Sequence, residues 1–377
     1  MNEIVSPCYF ELVNEMKRQG HEIIVLNENG SFGNLKAIKC TPAHVTDYPS
    51  GAFNKILFSA KARQIIEKMN IDLIFGSFPE SICFLGDLKI PKIVMLQDDL
   101  KKRIQFTPWF GMFKIKYGFI PLPEYTKIGV KIDYLFQLNS LKKADGIVFV
   151  NNESKKEFNG KTRALAKAIP NGVNSKQFSL DKNTRKEIKK IKKVFPGPIV
   201  LFMARLELQK APLDFVRAAG KVLQRHKAFF LIAGNGPMRK AVEKEIHKLN
   251  LTERVKVLGW KKGTEKKALL HSCSMYVLSS LFDPMPISVL EAMACSKPVI
   301  VSNVGGIKEA VDEKVGIKIP SGNIEKLVDA IIFMLESPEK AKAMGINAKK
   351  KIERFYDWKA ISKKYIEFFN EVSSKNG

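Results

Sequence analysis

The sequence predicts an α/β protein built from two doubly wound parallel sheets. Short apolar runs alternate with helical stretches along the chain, which is the pattern of βαβ units. The alternation starts again after a lysine-rich segment, so two sheets explain it better than one. The length of 377 residues favours more than one core, and 45% hydrophobic with 27% charged residues is usual for globular proteins.

Apolar runs with the length of buried strands define the two predicted sheets. The first half has four such runs, at residues 22–26, 72–75, 92–96 and 146–150. After the lysine-rich residues 185–193, five more follow, at 199–203, 229–234, 255–259, 275–279 and 298–302. Helices are predicted in the second half at 212–225, 238–249, 287–295 and 324–335.

Basic side chains are concentrated in the middle of the chain. The formal net charge is +25, but residues 1–100 carry −2 and residues 101–200 carry +15. Residues 100–131 combine seven basic side chains and one acidic side chain with seven aromatic ones. This mixture suits an anionic membrane surface or acceptor lipid, single-stranded nucleic acid, or a partly buried helix and loop, and these alternatives stay open.

The cysteines and the hydropathy point to a cytoplasmic protein. Five widely spaced cysteines form no CxxC pair, so neither a disulfide framework nor a zinc site is expected. No apolar stretch approaches the length of a membrane span, and the amino terminus lacks the features of a secretory signal.

Two cations follow the first strand of the predicted second sheet. Arg205 comes just after residues 199–203, and Lys210 stands five positions later, before a helix opened by Pro212. Ligands of doubly wound sheets bind beyond the carboxyl ends of strands, and an Arg fork with a mobile Lys suits a diphosphate. A pair of solvated surface charges is the alternative.

A glycine turn follows the next predicted strand. Gly234, Gly236 and Pro237 make a tight strand-to-helix turn that would let backbone N–H groups approach a ligand. Arg239 occupies the place of the third glycine of a dinucleotide fingerprint, which excludes that fingerprint. A purely structural turn stays open.

The most specific pattern follows the predicted strand 275–279. Asp283 precedes a proline-bracketed turn, and Glu291 lies eight positions later, in a helix whose first turn holds Pro286, Ile287 and Ser288. Free N–H groups at such a helix start favour an anionic or hydroxyl-rich ligand. The alternative is that Asp283 only caps the helix and Glu291 is solvated.

In this order the three patterns resemble the donor domain of retaining glycosyltransferases of family 4, which are group 1 glycosyltransferases. The similarity extends over about residues 145–371 and includes IPNGVN and the terminal YDWKAISKKYIEFF. It implies the GT-B architecture of two Rossmann-like domains facing a cleft. We expect an acceptor-binding domain at 1–180 with a shortened or divergent start, a linker at 181–197, a donor domain at 198–355 and a helix at 356–377 crossing back to the first domain.

The resemblance also implies a role for each matching residue. Arg205 and Lys210 match the pair that holds the donor diphosphate, Asp283 matches the acidic residue beside the transferred sugar, and Glu291 matches the carboxylate that binds the ribose hydroxyls. The other implied donor-binding residues are Gly234, Asn235, Gly236, Gly259, Trp260, Pro286, Ile287 and Ser288. No DxD motif occurs, so neither metal nor cofactor is expected beside a UDP, GDP or ADP sugar as substrate.

The implied function is transfer of a hexose-type sugar to an acceptor hydroxyl with retention of configuration, in polysaccharide or glycolipid biosynthesis. The acceptor would be a glycan or a lipid-linked or cell-envelope molecule, and residues 100–131 would attach the protein peripherally to the inner face of a membrane. Nucleic acid is not expected as a partner. The family's amino-terminal glycine-rich loop is missing, and Asp283 replaces the usual Glu. A catalytically weak nucleotide-sugar-binding protein therefore stays open. A sugar-nucleotide enzyme of the same architecture that does not transfer the sugar, such as an epimerase, is the other alternative.

Overall fold

The chain forms two compact units, each with its own parallel sheet. The computed structural model describes residues 7–27, 37–39, 52–76, 79–97, 112–115, 118–121, 127–158 and 160–376. Unit 1 comprises Met1–Pro170 together with Ile361–Gly377, and unit 2 comprises Asn171–Ala360. The two sheets confirm the predicted fold class of two parallel-sheet α/β domains.

Unit 1 contains a four-stranded parallel sheet. The strands of unit 1 are β1 (Val25–Asn27), β2 (Ala37–Lys39), β3 (Ile74–Gly76), β4 (Lys92–Leu96), β5 (Met112–Ile115), β6 (Gly118–Pro121), β7 (Gly146–Phe149) and β8 (Leu165–Ala168). Its helices are α1 (Pro7–Arg18), α2 (Ala52–Ile66), α3 (Lys127–Leu141) and α4 (Asn152–Phe158). The sheet has the order β3-β4-β7-β8, while β1 and β2 form a parallel pair and β5 and β6 an antiparallel hairpin.

The C-terminal helix, Trp358–Asn376, packs on the sheet of unit 1. A Cβ added to Gly146 on β7 would meet the Val372 side chain at 2.8 Å, so glycine allows the helix to approach the strand. The rings of Phe75 and Tyr365 also meet edge to face, with centroids 5.8 Å apart. Aromatic contact and close approach together anchor this helix.

Part of the sequence-based prediction lies outside the described residues. Of residues 100–131, only 112–115, 118–121 and 127–131 are described, so the membrane or lipid role predicted for this segment stays a prediction. The same holds for the divergent start, where the described chain begins with α1 at Pro7. None of the helices in the described part of the chain is both long and apolar enough to cross a bilayer.

Unit 2 contains a six-stranded sheet in which every strand is parallel to its neighbours. The strands are β9 (Ile199–Met203), β10 (Phe229–Ala233), β11 (Val255–Gly259), β12 (Met275–Leu278), β13 (Val299–Ser302) and β14 (Gly316–Ile319). The helices are α5 (Lys182–Val194), α6 (Pro212–Val222), α7 (Arg239–Lys248), α8 (Gly263–Ser272), α9 (Ile287–Ala294), α10 (Ile307–Ala310), α11 (Ile324–Glu336) and α12 (Pro338–Lys351). The strand order is β11-β10-β9-β12-β13-β14.

This order positions a ligand site. The first strand of the sheet, β9, has the second strand, β10, on one side and the fourth strand, β12, on the other. The winding of the chain therefore reverses between β9 and β12, and open α/β sheets bind ligands beyond the carboxyl ends of the strands at such a switch point. Both strands consist of buried apolar residues, which makes them a rigid support.

Candidate functional site

The loops that follow β9 and β12 are hydrogen-bonded to each other at the switch point. The Leu281 N–H donates to the Gln209 carbonyl at 2.8 Å. The Ser279 hydroxyl donates to the Ala211 carbonyl at 3.1 Å. These bonds hold the residues beyond the two strand ends in a fixed relation.

Lys210 and Asp283, both predicted site residues, meet here. The Lys210 Nζ lies 2.6 Å from the Asp283 Oδ2, although the residues are 73 positions apart. Asp283 is only 5% exposed, and the Ser280 hydroxyl donates to the same Oδ2 at 3.2 Å. A buried carboxylate needs such partners because an unpaired buried charge costs several kcal/mol. The N-cap residue of α9 is Pro286, so the alternative in which Asp283 only caps that helix is wrong.

The backbone of Asp283 is supported by a glycine from the following βα turn. Gly305 has a φ of +50°, and a Cβ there would lie 1.9 Å from the Asp283 carbonyl oxygen. The Gly306 N–H donates to the Pro284 carbonyl at 2.7 Å. Only glycine fits this close approach, and the contact fixes the loop that carries the carboxylate.

Arg205, the other predicted cation, differs from Lys210 in its surroundings. Its side chain is 66% exposed and forms an ion pair with Glu207, with Nη2 and Oε2 3.0 Å apart. Exposed ion pairs contribute about 0–1 kcal/mol, so an anionic ligand can replace Glu207 at little cost. The structure thus places one cation in a largely buried pair and one in solvent, both just after β9.

The glycine turn after β10 packs on the backbone after β9. A Cβ on Gly234 would lie 1.9 Å from the Ala204 carbonyl oxygen, and one on Gly236 would lie 2.5 Å from that of Leu206. The Leu206 N–H donates to the carbonyl of Asn235 at 2.9 Å, and the side chain of Asn235 is exposed. These close contacts explain why both positions hold glycine. The role of the two glycines in donor binding stays a prediction.

Gly259 and Trp260 lie at the end of β11, which is two strands away from β9 in the sheet. Gly259 has a φ of +71° and ends β11, which is the edge strand of the sheet. Trp260 follows with 55% of its surface exposed. An exposed indole at the carboxyl end of a strand is available for stacking, and its predicted place beside a nucleobase stays a prediction.

Glu291 is buried and paired. It lies on α9 with 9% of its surface exposed, and the Lys266 Nζ approaches its Oε1 to 2.5 Å. Burial raises the pKa of Glu291, and the charge and hydrogen bond of Lys266 oppose that rise. The alternative that Glu291 is solvated is therefore wrong. Sequence reasoning missed Lys266 because it comes from a different βα unit and belongs to none of the motifs.

The Tyr276 hydroxyl connects the end of β9 to α9. This fully buried residue of β12 donates its hydroxyl hydrogen to the Met203 carbonyl at 2.8 Å, and its Oη lies 2.8 Å from the Ser288 Oγ. Burial raises the pKa of Tyr276, and the charges of Glu291 and Asp283 raise it further. The predicted residues Pro286, Ile287 and Ser288 are consecutive at the start of α9.

The arrangement can bind an anion together with hydroxyl groups. Arg205 and Lys210 supply positive charge, whereas Asp283 and Glu291 supply carboxylate acceptors. Within the described ranges, no group of three or more His, Cys, Asp or Glu side chains could hold a metal ion.

Known sequences are similar to a segment of unit 2. Residues 183–351 match the family model described as "Glycosyl transferases group 1". An uncharacterized glycosyltransferase of Methanocaldococcus jannaschii is 32% identical over 207 residues, covering 54% of this chain and 53% of that protein. The alpha-D-kanosaminyltransferase of Streptomyces kanamyceticus is 26% identical over 217 residues, covering 56% of each chain. This chain thus matches about half the length of these two relatives.

A longer match covers much of unit 1 as well. The N,N'-diacetylbacillosaminyl-diphospho-undecaprenol alpha-1,3-N-acetylgalactosaminyltransferase of Campylobacter jejuni is 27% identical over 322 residues, covering 82% of this chain and 79% of that protein.

Solved structures share the fold of the whole chain. Sucrose-phosphate synthase from Thermosynechococcus elongatus has a TM-score of 0.79 at 18% identity, covering 97% of this chain and 92% of that one. Anabaena HepE in complex with UDP-glucose has a TM-score of 0.74 at 19% identity, covering 97% and 95%. Residues 183–351 are thus similar to group 1 glycosyltransferases, and the chain has the GT-B fold of two parallel-sheet α/β domains.

Proposed function

We propose that this chain is a retaining glycosyltransferase of family 4 that moves a hexose-type sugar from a nucleotide diphosphate sugar to an acceptor hydroxyl. The observation that carries the proposal is the Lys210–Asp283 pair at the switch point, where the Nζ and Oδ2 are 2.6 Å apart. Cation and carboxylate are held in place where ligands of doubly wound sheets bind. The group 1 match and the UDP-glucose complex of Anabaena HepE support a nucleotide sugar as donor.

In this proposal the two cations stabilise the leaving diphosphate. Negative charge accumulates on the diphosphate as the bond to the sugar breaks, and cations that are already in place stabilise it without reorganising. When the donor binds, Lys210 keeps its contact with Asp283 and directs its other N–H groups at the diphosphate, while Arg205 exchanges Glu207 for a phosphate oxygen. Both cations are then in place before the bond to the sugar breaks. Asp283 then keeps the Ser280 hydroxyl as a donor and accepts a hydroxyl hydrogen of the sugar.

A lipid-linked acceptor at an anionic membrane is the second part of the proposal. The Campylobacter relative is named for a diphospho-undecaprenol-linked sugar. The seven basic and seven aromatic side chains of residues 100–131 suit anionic headgroups and the acyl boundary. Cosedimentation with phosphatidylglycerol vesicles but not with phosphatidylcholine vesicles would support membrane attachment. Sedimentation with neither at low salt would remove it.

Two measurements test the reaction itself. A thermal-shift screen of UDP, GDP and ADP and their sugars identifies the nucleotide, because a ligand at 100 times its Kd stabilises the folded state by about 2.7 kcal/mol. NMR of the product formed from the stabilising donor then gives its anomeric configuration. We expect the configuration of the donor to be kept. An isomerised sugar nucleotide without transfer would indicate an epimerase, and binding without turnover would indicate a binding protein.

A further inference from the structure

Lys266 is a charged neighbour of the site that lies outside the strand-end motifs. It belongs to α8, in the connection between β11 and β12, and its Nζ lies 2.5 Å from the Glu291 Oε1 on α9. The two residues are 25 positions apart. The contact therefore depends on how two neighbouring βα units pack, not on a local sequence pattern.

The geometry restrains the Lys266 ammonium from two sides. Besides Glu291, it faces the ring of Phe178, whose centroid is 5.9 Å from Nζ. The next residue, Lys267, turns to a different partner and forms an ion pair with Asp181. Two successive lysines of one helix thus have separate tasks, and only Lys266 is directed at the buried carboxylate.

We propose that Lys266 is a positioning residue for nucleotide recognition: it keeps the Glu291 carboxylate ionised and oriented, so that the oxygen it leaves available accepts the vicinal hydroxyls of the donor ribose. This inference rests on the proposed function, because it takes unit 2 to bind a nucleotide sugar. It adds a residue of α8 to the site.

Two other residues in the described part of the chain interact electrostatically with Glu291, and neither supplies a positive charge. They are Tyr276 from β12 and Cys295 at the end of α9. Burial raises the pKa of both, so both are neutral near neutral pH. Without Lys266, Glu291 would be a buried carboxylate that has lost the cation bonded to it, which favours protonation and loss of its orientation.

A comparison of ribose and dideoxyribose nucleotides tests the proposal. Calorimetric titration of the full chain with UDP, GDP and ADP selects the nucleotide that binds. Its affinity is then compared with that of its 2′,3′-dideoxy counterpart in the wild type and in three variants, Lys266→Met, Lys266→Arg and the control Lys267→Met.

We expect Lys266→Met to weaken binding of the ribonucleotide about 10- to 100-fold, the usual effect of losing a hydrogen bond to a charged group. Binding of the dideoxy nucleotide should not change, because it offers Glu291 no hydroxyls. Lys266→Arg should recover most of the affinity, and Lys267→Met should bind both nucleotides as the wild type does. If Lys266→Met folds poorly, Lys266→Gln carries the same comparison.

Equal losses for the two nucleotides would overturn the proposal, since Lys266 would then act on the phosphates, the base or the fold. Wild-type affinity of Lys266→Met for the ribonucleotide would overturn it as well, and both results leave the proposed function standing. If the wild type binds none of the three nucleotides, the proposed function fails, and this inference fails with it.

Discussion

Replacing Lys210 by Met tests the central ion pair of the site. Methionine is similar in length but carries no charge, so Asp283 loses its cation at 2.6 Å and keeps only the Ser280 hydroxyl of these two partners. Asp283 is 5% exposed, and removing one partner of a buried pair costs about 3–5 kcal/mol. For a unit of this size each kcal/mol corresponds to about 2–4 °C, so the melting temperature should fall by about 10 °C.

The double variant Lys210→Met/Asp283→Asn separates stability from catalysis. In the double variant no buried carboxylate has lost the Lys210 cation, so most of the lost stability should return. Turnover should stay about 100- to 1,000-fold below the wild type in both variants, because the diphosphate has lost a cation that is already in place. Calorimetric melting and initial rates at saturating donor measure the two effects on the same samples.

A matched control and two contrary results complete the test. Lys221→Met removes an exposed ion pair with Glu325, which is worth about 0–1 kcal/mol, and should leave melting and turnover nearly unchanged. If Lys210→Met melts with the wild type, Lys210 does not compensate a buried charge. If the double variant regains turnover, Lys210 serves Asp283 alone, and its role toward the diphosphate is refuted.

Three further predictions concern the surroundings of the site. Gly305→Ala puts a Cβ 1.9 Å from the Asp283 carbonyl oxygen and should cost at least about 2 kcal/mol in urea unfolding, whereas Gly322→Ala, also left-handed but in open space, should cost about 1 kcal/mol; equal losses would contradict this. Tyr276→Phe removes the buried hydroxyl that donates to the end of β9 and should cost about 1–3 kcal/mol in the same assay, so unchanged stability would contradict its bridging role. Burial raises the pKa of Glu291 above its usual 4.5, so the folded state holds that proton more tightly than the unfolded state, and the stability of the wild type relative to Glu291→Gln should fall as pH rises from 4.5 through the folded-state pKa. Urea unfolding across this pH range checks the sign, and parallel curves for the two proteins would contradict it.

The strands of unit 2 show how much of the fold the local sequence predicts. Strand β9 has the limits that its apolar run predicts, because a buried parallel strand is apolar along its whole length. Strand β11 also has the predicted limits, although it is an edge strand that includes Lys256. Strand β14 was not predicted. It is a short edge strand in which Lys318 is exposed, so its four residues lack a continuous apolar run.

The local sequence likewise predicts some residues of the site and not others. Arg205, Lys210, Asp283 and Glu291 could be selected from the sequence because each follows a strand or lies in the helix after it, and their spacing resembles a known family. The partner of Glu291 could not be selected. Lys266 is one of 63 basic residues, and nothing in its local sequence separates it from Lys267.

The sequence by itself determined the two α/β sheets, the strands that precede the site and the side chains that follow them. These follow from the periodicity of apolar residues and from the residues that turns and helix starts require, which are properties of short segments. Only the tertiary structure decided that β9 lies beside β12, that Lys210 meets Asp283, and that Glu291 is buried against Lys266. Strand order and the exclusion of water depend on contacts between distant segments, and a single local pattern is compatible with many such contacts.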